Sequence, residues 1–283
     1  MIHLIYIPMR GVGIDLRGDD WFWERVEVFR TYTLQSLKKQ VNQNFVVWMS
    51  FRPQDENSEA VAYLAELLKF NDIRYIFTFN GLMYYDDKFT DEIWLKIKNI
   101  GRIIRHCWRN KALKDFLPSL KEIRYNKNRT LEARLSKSLE IMRPYFQDCE
   151  KVIVSRIDSD DMYHKEFVAL TQTAKDFFGA IICKRGLIFN SDTQEMAEWN
   201  PPTNPPFHTI IFPGEIFFDP AKHLAYFKDF KSHEDITRVF DCLEMPSYMY
   251  CVTTHNPKNH ISTVWNHPFR GKIMDSNLIN NFI

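Results

Sequence analysis

Along the N-terminal third, short continuous apolar runs alternate with helical spacings. Residues 3–7 (HLIYI) are apolar and β-branched, and Pro8 ends the run. Residues 21–40 then carry Phe22, Val26, Phe29 and Leu37 at helical spacing, and residues 45–51 (FVVWMSF) predict a second strand with Pro53 just beyond it. Residues 57–70 place Val61, Leu64 and Leu68 three and four apart, which is one face of a helix. Residues 74–79 (RYIFTF) predict a third strand, closed by Asn80-Gly81. Strand, helix, strand, helix, strand predicts a parallel sheet with crossover helices. Continuous rather than alternating hydrophobicity predicts that its strands are buried on both faces.

Further on the pattern is less regular. Residues 90–118 make an aromatic, basic stretch that reads as helical and fits no repeat. A helix over 130–146 follows, with Thr130 as N-cap, Glu132 in the first turn and Leu131, Leu135, Leu139 and Met142 as its buried stripe. Residues 151–157 (KVIVSRI) predict a fourth strand running directly into Asp158-Ser159-Asp160-Asp161. A helix is expected over 165–177, and residues 179–190 read as two short strands turning at Lys184-Arg185-Gly186. The segment 200–206 (NPPTNPP) can be neither helix nor interior strand and is a loop. Short strands, a helix around 234–243 and a loop rich in His, Asn and Pro over 255–269 complete the chain. No internal repeat and no linker interrupts it, so the reading is one α/β domain, 1–283, with an elaborated C-terminal half.

Composition narrows the classes. The 283 residues carry 37 Lys+Arg against 36 Asp+Glu, a net charge of +1, which excludes whole-molecule polyanion binding. With 45% hydrophobic residues, intrinsic disorder is excluded. The five cysteines (Cys107, Cys149, Cys183, Cys242, Cys251) form no CxxC pair, and they read as reduced thiols of a cytoplasm-like compartment. No run approaches the ~20 apolar residues of a membrane span, and the N-terminus lacks the pattern of a signal peptide. A soluble, cytoplasmic protein without a membrane span is expected.

Arg156-Ile157-Asp158-Ser159-Asp160-Asp161 carries the chemistry. Three carboxylates within four residues repel one another unless a cation holds them. Strand ends at the rim of a parallel sheet are where open α/β folds bind ligands. Carboxylates two apart, turning out of a strand, suit an oxygen-loving divalent ion with positions left for phosphate oxygens. A solvated turn or helix cap is the alternative reading of such acids. Met162 and Tyr163 stand where an EF-hand loop requires a ligand and the turn glycine, which argues against that reading.

A DxD ending a strand after three βα units resembles the nucleotide-sugar motif of GT-A glycosyltransferases. More narrowly, the run from Phe29 through Trp48, Ser155-Arg-Ile-Asp-Ser-Asp-Asp161 and Lys184-Arg-Gly-Leu-Ile188 resemble a bacterial rhamnosyltransferase family. The likeness spans most of residues 1–270, and the DSDD block is its sharply specific part. The basic, aromatic insert around 90–128 departs from that family. The resemblance implies a GT-A-like α/β fold, with mostly parallel strands flanked by helices. In that fold a nucleotide-sugar-binding half, 1–161, precedes an acceptor-binding and catalytic half, 162–283. It further implies an inverting transfer of a sugar from a nucleoside-diphosphate donor to a hydroxyl of a glycan or glycoconjugate, with Mn²⁺ or Mg²⁺ as cofactor.

Residue by residue, the resemblance makes Asp158 and Asp160 the metal pair, with Asp160 the more direct ligand and Asp158 nearer the ribose or sugar. Asp161 holds the loop or the sugar hydroxyls, and Arg156 belongs to the same donor-binding block. A C-terminal loop histidine completes the metal shell, with His255 preferred over His260. The acceptor base is Asp235, with Glu234 second, in Ser232-His233-Glu234-Asp235. The base and ribose pocket falls to Pro8, Arg10 and Ser50 after the first two strands, by fold analogy. Gly11-Val12-Gly13 is no dinucleotide fingerprint, because the third glycine is missing.

From Lys96 to Arg143 fourteen Lys or Arg face four acids. Arg129 and Arg134 are the candidates there for contact with the diphosphate, and a solvated helical face is the alternative. Trp94, Trp108 and Tyr125 are interleaved, yet no nucleic-acid partner is expected. Two rival functions remain open: a DxD phosphohydrolase, weakened by Met162 where Thr or Val is needed, and a non-catalytic carbohydrate-binding protein, which leaves the clustered acids unexplained.

Overall fold

The computed structural model describes residues 1–9, 19–82, 131–146, 148–174, 176–203, 205–226, 233–254 and 265–283, with a few positions between 100 and 117. The basic stretch, Thr130, Arg10, Arg129, His255 and His260 lie outside the described residues, apart from those few positions.

A seven-stranded sheet forms the centre. Its strands β1 (Ile2–Pro8), β2 (Val46–Ser50), β3 (Tyr75–Thr78) and β4 (Lys151–Arg156) come from the first half. The second half adds β6 (Gly179–Ile182), β9 (His208–Pro213) and β10 (Cys242–Glu244), giving the order β10-β6-β9-β4-β1-β2-β3. All neighbours run parallel except β9, which is antiparallel to both β4 and β6. The predicted α/β class with a mostly parallel sheet is therefore observed. β1, β2 and β4 are buried along nearly their whole length, as their unbroken hydrophobicity requires.

Alternation within these strands sorts side chains between two cores. Ile5, Ile7, Val47, Met49 and Ile153 face α1 (Asp19–Thr31), α2 (Thr33–Lys38) and α3 (Glu59–Phe70) through Phe22, Val26, Phe29, Leu37, Leu64 and Leu68. Leu4, Tyr6, Trp48, Val152 and Val154 face α4 (Leu131–Phe146) through Leu135, Leu139 and Met142. Ser58 caps α3, its side chain accepting from the Val61 N–H.

A second, five-stranded sheet has the order β12-β8-β7-β11-β5. Its strands are β5 (Met162–Tyr163), β7 (Gly186–Asn190), β8 (Glu195–Trp199), β11 (Tyr250–Thr254) and β12 (Arg270–Met274). β5 begins directly after the acidic turn, so the turn is the joint between the two sheets.

Residues 179–190 form the two short strands expected, but in different sheets: β6 completes the large sheet while β7 pairs with β8 and β11, so the Lys184-Arg185 turn carries the chain from one sheet to the other. Three helix expectations are corrected. No helix spans 234–243. A 3-10 turn, His233–Asp235, leads into a four-residue helix, Ile236–Val239, and Cys242–Glu244 instead extends the sheet edge beside β6. The helix expected over 165–177 is the shorter α5 (Phe167–Gln172), and residues 21–40 form two helices broken at Tyr32.

Candidate active site

The parallel strands end together. Pro8 is in register with Ser50, Ser50 with Thr78, and Arg156 with Tyr6, so Pro8, Ser50, Thr78 and Arg156 line one carboxyl-terminal rim. This is the side on which a ligand meets an open α/β sheet. Ser50 is fully buried, and its hydroxyl has no hydrogen-bond partner among the described residues. Arg52, next to it, is committed to Asp55, with Nη2 donating to Oδ1 at 2.9 Å and Nε to Oδ2 at 3.2 Å. That pair holds the loop after β2.

Beyond Arg156 the chain turns, with the Asp161 N–H donating to the Asp158 carbonyl at 3.2 Å. The three carboxylates meet different fates. Asp158 is the most open and accepts from Arg156 Nη2 at 3.0 Å. Asp160 is buried and is gripped from α1: Arg25 Nη1 donates to Oδ2 at 2.6 Å and Nη2 to Oδ1 at 2.7 Å, while Nε donates to Ser159 Oγ at 2.7 Å. Asp161 is buried and accepts the Thr253 N–H of β11 at 2.9 Å. Burial pushes the Asp161 carboxyl well above the usual range, and the charges of Asp160 and Asp158 add to the effect. The Thr253 N–H and Arg25 oppose it.

Aromatic rings pack close to the turn. Tyr163 stacks on Phe167 at 3.6 Å between centroids, Phe207 stacks on Tyr250 at 4.1 Å, and Tyr163 meets Phe207 edge-on. The Tyr163 hydroxyl donates to the Arg156 carbonyl at 2.6 Å, which fixes the last residue of β4. The rings and this hydrogen bond brace the turn against both sheets.

The candidate base pair lies on a neighbouring segment. Asp235 Oδ1 accepts from Arg238 Nη2 at 2.9 Å, and Glu234 Oε1 accepts from Thr203 Oγ1 at 3.4 Å. Thr203 belongs to the Pro-rich loop whose Pro206 carbonyl accepts from Arg156 Nη1 at 3.4 Å. His208 is buried, and its pKa is held well below the ordinary value by burial first, then by the nearby Arg156 and His233. The 233–235 turn and the Arg156 end of β4 are thus linked through one loop and one histidine. The helix after Phe218 is capped by Asp219, whose Oδ1 accepts the Ala221 and Lys222 N–H groups.

Arg134 is placed elsewhere. It is buried on α4 and donates to the Gly81 carbonyl at 3.3 Å, just past the end of β3 and three strands from β4. Arg25 is the residue the sequence reading missed. A signal existed: Arg25 stands three residues after Phe22 and four before Phe29, on the buried stripe of α1, where an unpartnered charge is costly.

A divalent ion at the turn needs carboxylate oxygens open to it. Oxygen donors of the right type are present, but both oxygens of Asp160 already receive N–H groups from Arg25, and Asp158 is paired with Arg156. Among the described residues no three His, Cys, Asp or Glu side chains form a ligand set for a metal ion. The turn as arranged does not fit the ion that its sequence suggests.

No family model and no curated protein matches the chain. Solved structures of S. aureus TarS are similar to it. TarS 1–349 in complex with UDP shares 11% identity at a TM-score of 0.39, over 92% of this chain and 62% of that one. A longer TarS structure shares 14% identity at 0.39, over 90% of this chain and 37% of that one. A further structure of TarS 1–349 shares 14% identity at 0.39, over 89% of this chain and 60% of that one. The chain spans less than two thirds of the length of these TarS chains.

Proposed function

We propose that this protein is a glycosyltransferase that takes a sugar from a nucleoside diphosphate and passes it, with inversion, to a hydroxyl of a glycan or glycoconjugate. The observation that carries this reading is the Asp158–Asp161 turn. It leaves a buried parallel strand at the carboxyl-terminal rim, has two arginines on its carboxylates and is braced by aromatic rings. The resemblance of the DSDD block to GT-A enzymes points the same way, and rhamnose is the sugar that the narrower resemblance favours.

In this reading residues 1–161 hold the donor. Pro8 and Ser50 receive the nucleoside at the ends of β1 and β2, and the buried Ser50 hydroxyl gains the partner it lacks among the described residues. Asp158 binds a ribose or sugar hydroxyl, and Arg156 draws the diphosphate. Residues 162–283 hold the acceptor. Asp235 takes the proton from the acceptor hydroxyl as that oxygen attacks the anomeric carbon from the face opposite the leaving group. The bond from the anomeric carbon to the diphosphate oxygen breaks, and its electron pair leaves with the diphosphate. The developing charge is met by the arginine side chains at the turn. Glu234 is the second candidate for the base. Each of the five thiols is free, which suits a reducing, cytoplasm-like compartment. No helix among the described residues is long and apolar enough to cross a membrane.

The test is a panel of UDP-, GDP- and dTDP-sugars with mixed glycan acceptors, read as nucleoside diphosphate released. One donor should be consumed, and Asp158→Asn should slow release by about 10²-fold. No release from any donor, with no nucleotide bound, contradicts the reading.

A further inference from the structure

Arg25 reaches the acidic turn from α1, 135 positions away in sequence. Its planar fork matches the Asp160 carboxylate, one N–H to each oxygen, and its third nitrogen serves Ser159. Bidentate pairing of this kind is shorter and more directional than an ordinary ion pair. The Arg25 side chain is 15% exposed and that of Asp160 4%, so little water screens the contact. A surface pair could be displaced readily; this one is built into the joint between the two sheets.

The consequence is electrostatic. A divalent ion at Asp160 would set two positive groups on one carboxylate, and Asp158 already carries Arg156. The turn therefore presents two neutralised carboxylates with guanidinium groups beside them. A guanidinium has five N–H donors; three of those on Arg25 go to the turn, which leaves two that can meet phosphate oxygens.

We infer that Arg25 is the cation of the acidic turn, standing where a divalent ion would otherwise stand, so that a nucleoside diphosphate binds this protein without a metal. The inference rests on the reading of the turn as the donor site, and it replaces the metal dependence that the DxD spacing implies.

The test uses the full chain and three probes, UDP, GDP and dTDP, titrated calorimetrically once in EDTA and once in excess Mn²⁺. Mn²⁺ alone is titrated separately and followed by electron paramagnetic resonance. The wild-type protein should bind at least one nucleotide with a Kd that differs by less than about threefold between the two buffers, and should not take up Mn²⁺ alone. Arg25→Gln should weaken nucleotide binding in EDTA by about tenfold or more. Arg25→Lys keeps the charge without the fork; it should fold if Gln does not, and should also bind more weakly.

Nucleotide binding that appears only with Mn²⁺ would overturn the inference. So would uptake of Mn²⁺ by the wild-type protein that Asp160→Asn abolishes, or undiminished binding in EDTA by a folded Arg25 variant. Failure of the donor-site reading itself looks different: none of the three nucleotides binds in either buffer, and Arg25 then has no ligand to serve.

Discussion

The backbone N–H of Thr253 donates to Asp161 Oδ1 at 2.9 Å, tying β11 of the small sheet to the acidic turn across 92 positions of sequence. Both groups are buried, so neither can exchange its partner for water. Asp161→Ala should cost about 1–3 kcal/mol, because it strands a buried N–H. Asp161→Asn keeps the accepting oxygen and should cost less. Urea unfolding of the two variants checks the order, and the reverse order would show that the carboxylate charge rather than the hydrogen bond matters there.

The Arg25–Asp160 pair makes a sharper prediction. Removing one partner leaves the other charged and buried, so Arg25→Ala should destabilise the protein by about 3–5 kcal/mol. Asp160→Ala should do the same alone and add little in the double variant. Relief of repulsion among three acids would predict the opposite sign for Asp160. A double-mutant cycle that finds the two substitutions additive would separate these residues energetically.

Three buried histidines set the acid side of the stability profile. Burial lowers His3 to about 3 and His223 to about 4, and holds His208 well below its ordinary value. For His223 the folded pKa lies below the unfolded 6.5, so its stability contribution is complete above pH 6.5 and is lost as pH falls toward about 4. His223→Gln should flatten the fall in melting temperature across that window without abolishing it, since His3 and His208 still act. An unchanged slope would mean that His223 is already protonated in the fold.

For the base, the two acidic neighbours should part company. Asp235→Asn should keep nucleotide affinity and lose about 10²–10⁴-fold in turnover, because it acts on the acceptor and not on the diphosphate. Glu234→Gln should stay within tenfold of wild type. If Glu234→Gln is the slow variant the base moves by one residue, and if neither is slow the acids serve only the 233–235 turn.

Much of the fold could be read from local pattern, because β1, β2 and β4 are unbroken apolar runs and α3 and α4 carry clear stripes. The acidic turn was equally legible: clustered carboxylates after such a strand are costly unless something is bound to them. What local pattern could not carry is which sheet a strand joins. Residues 179–190 show a turn between two strands, and nothing nearby says that β6 and β7 part company. Cys242–Glu244 reads as a helix end because its partner, β6, is some sixty positions away. Arg25 was hidden for a related reason. It sits in α1 among Glu24, Glu27 and Arg30, and only its place on the buried stripe, with a partner 135 positions away, sets it apart.

The most direct measurement is a crystal structure of the protein with whichever of UDP, GDP or dTDP raises its melting temperature most. The account predicts the diphosphate at the carboxyl-terminal rim, within hydrogen-bond reach of Arg25 or Arg156, with the nucleoside over the ends of β1 and β2 near Pro8 and Ser50. A nucleotide bound away from the Asp158–Asp161 turn would contradict it.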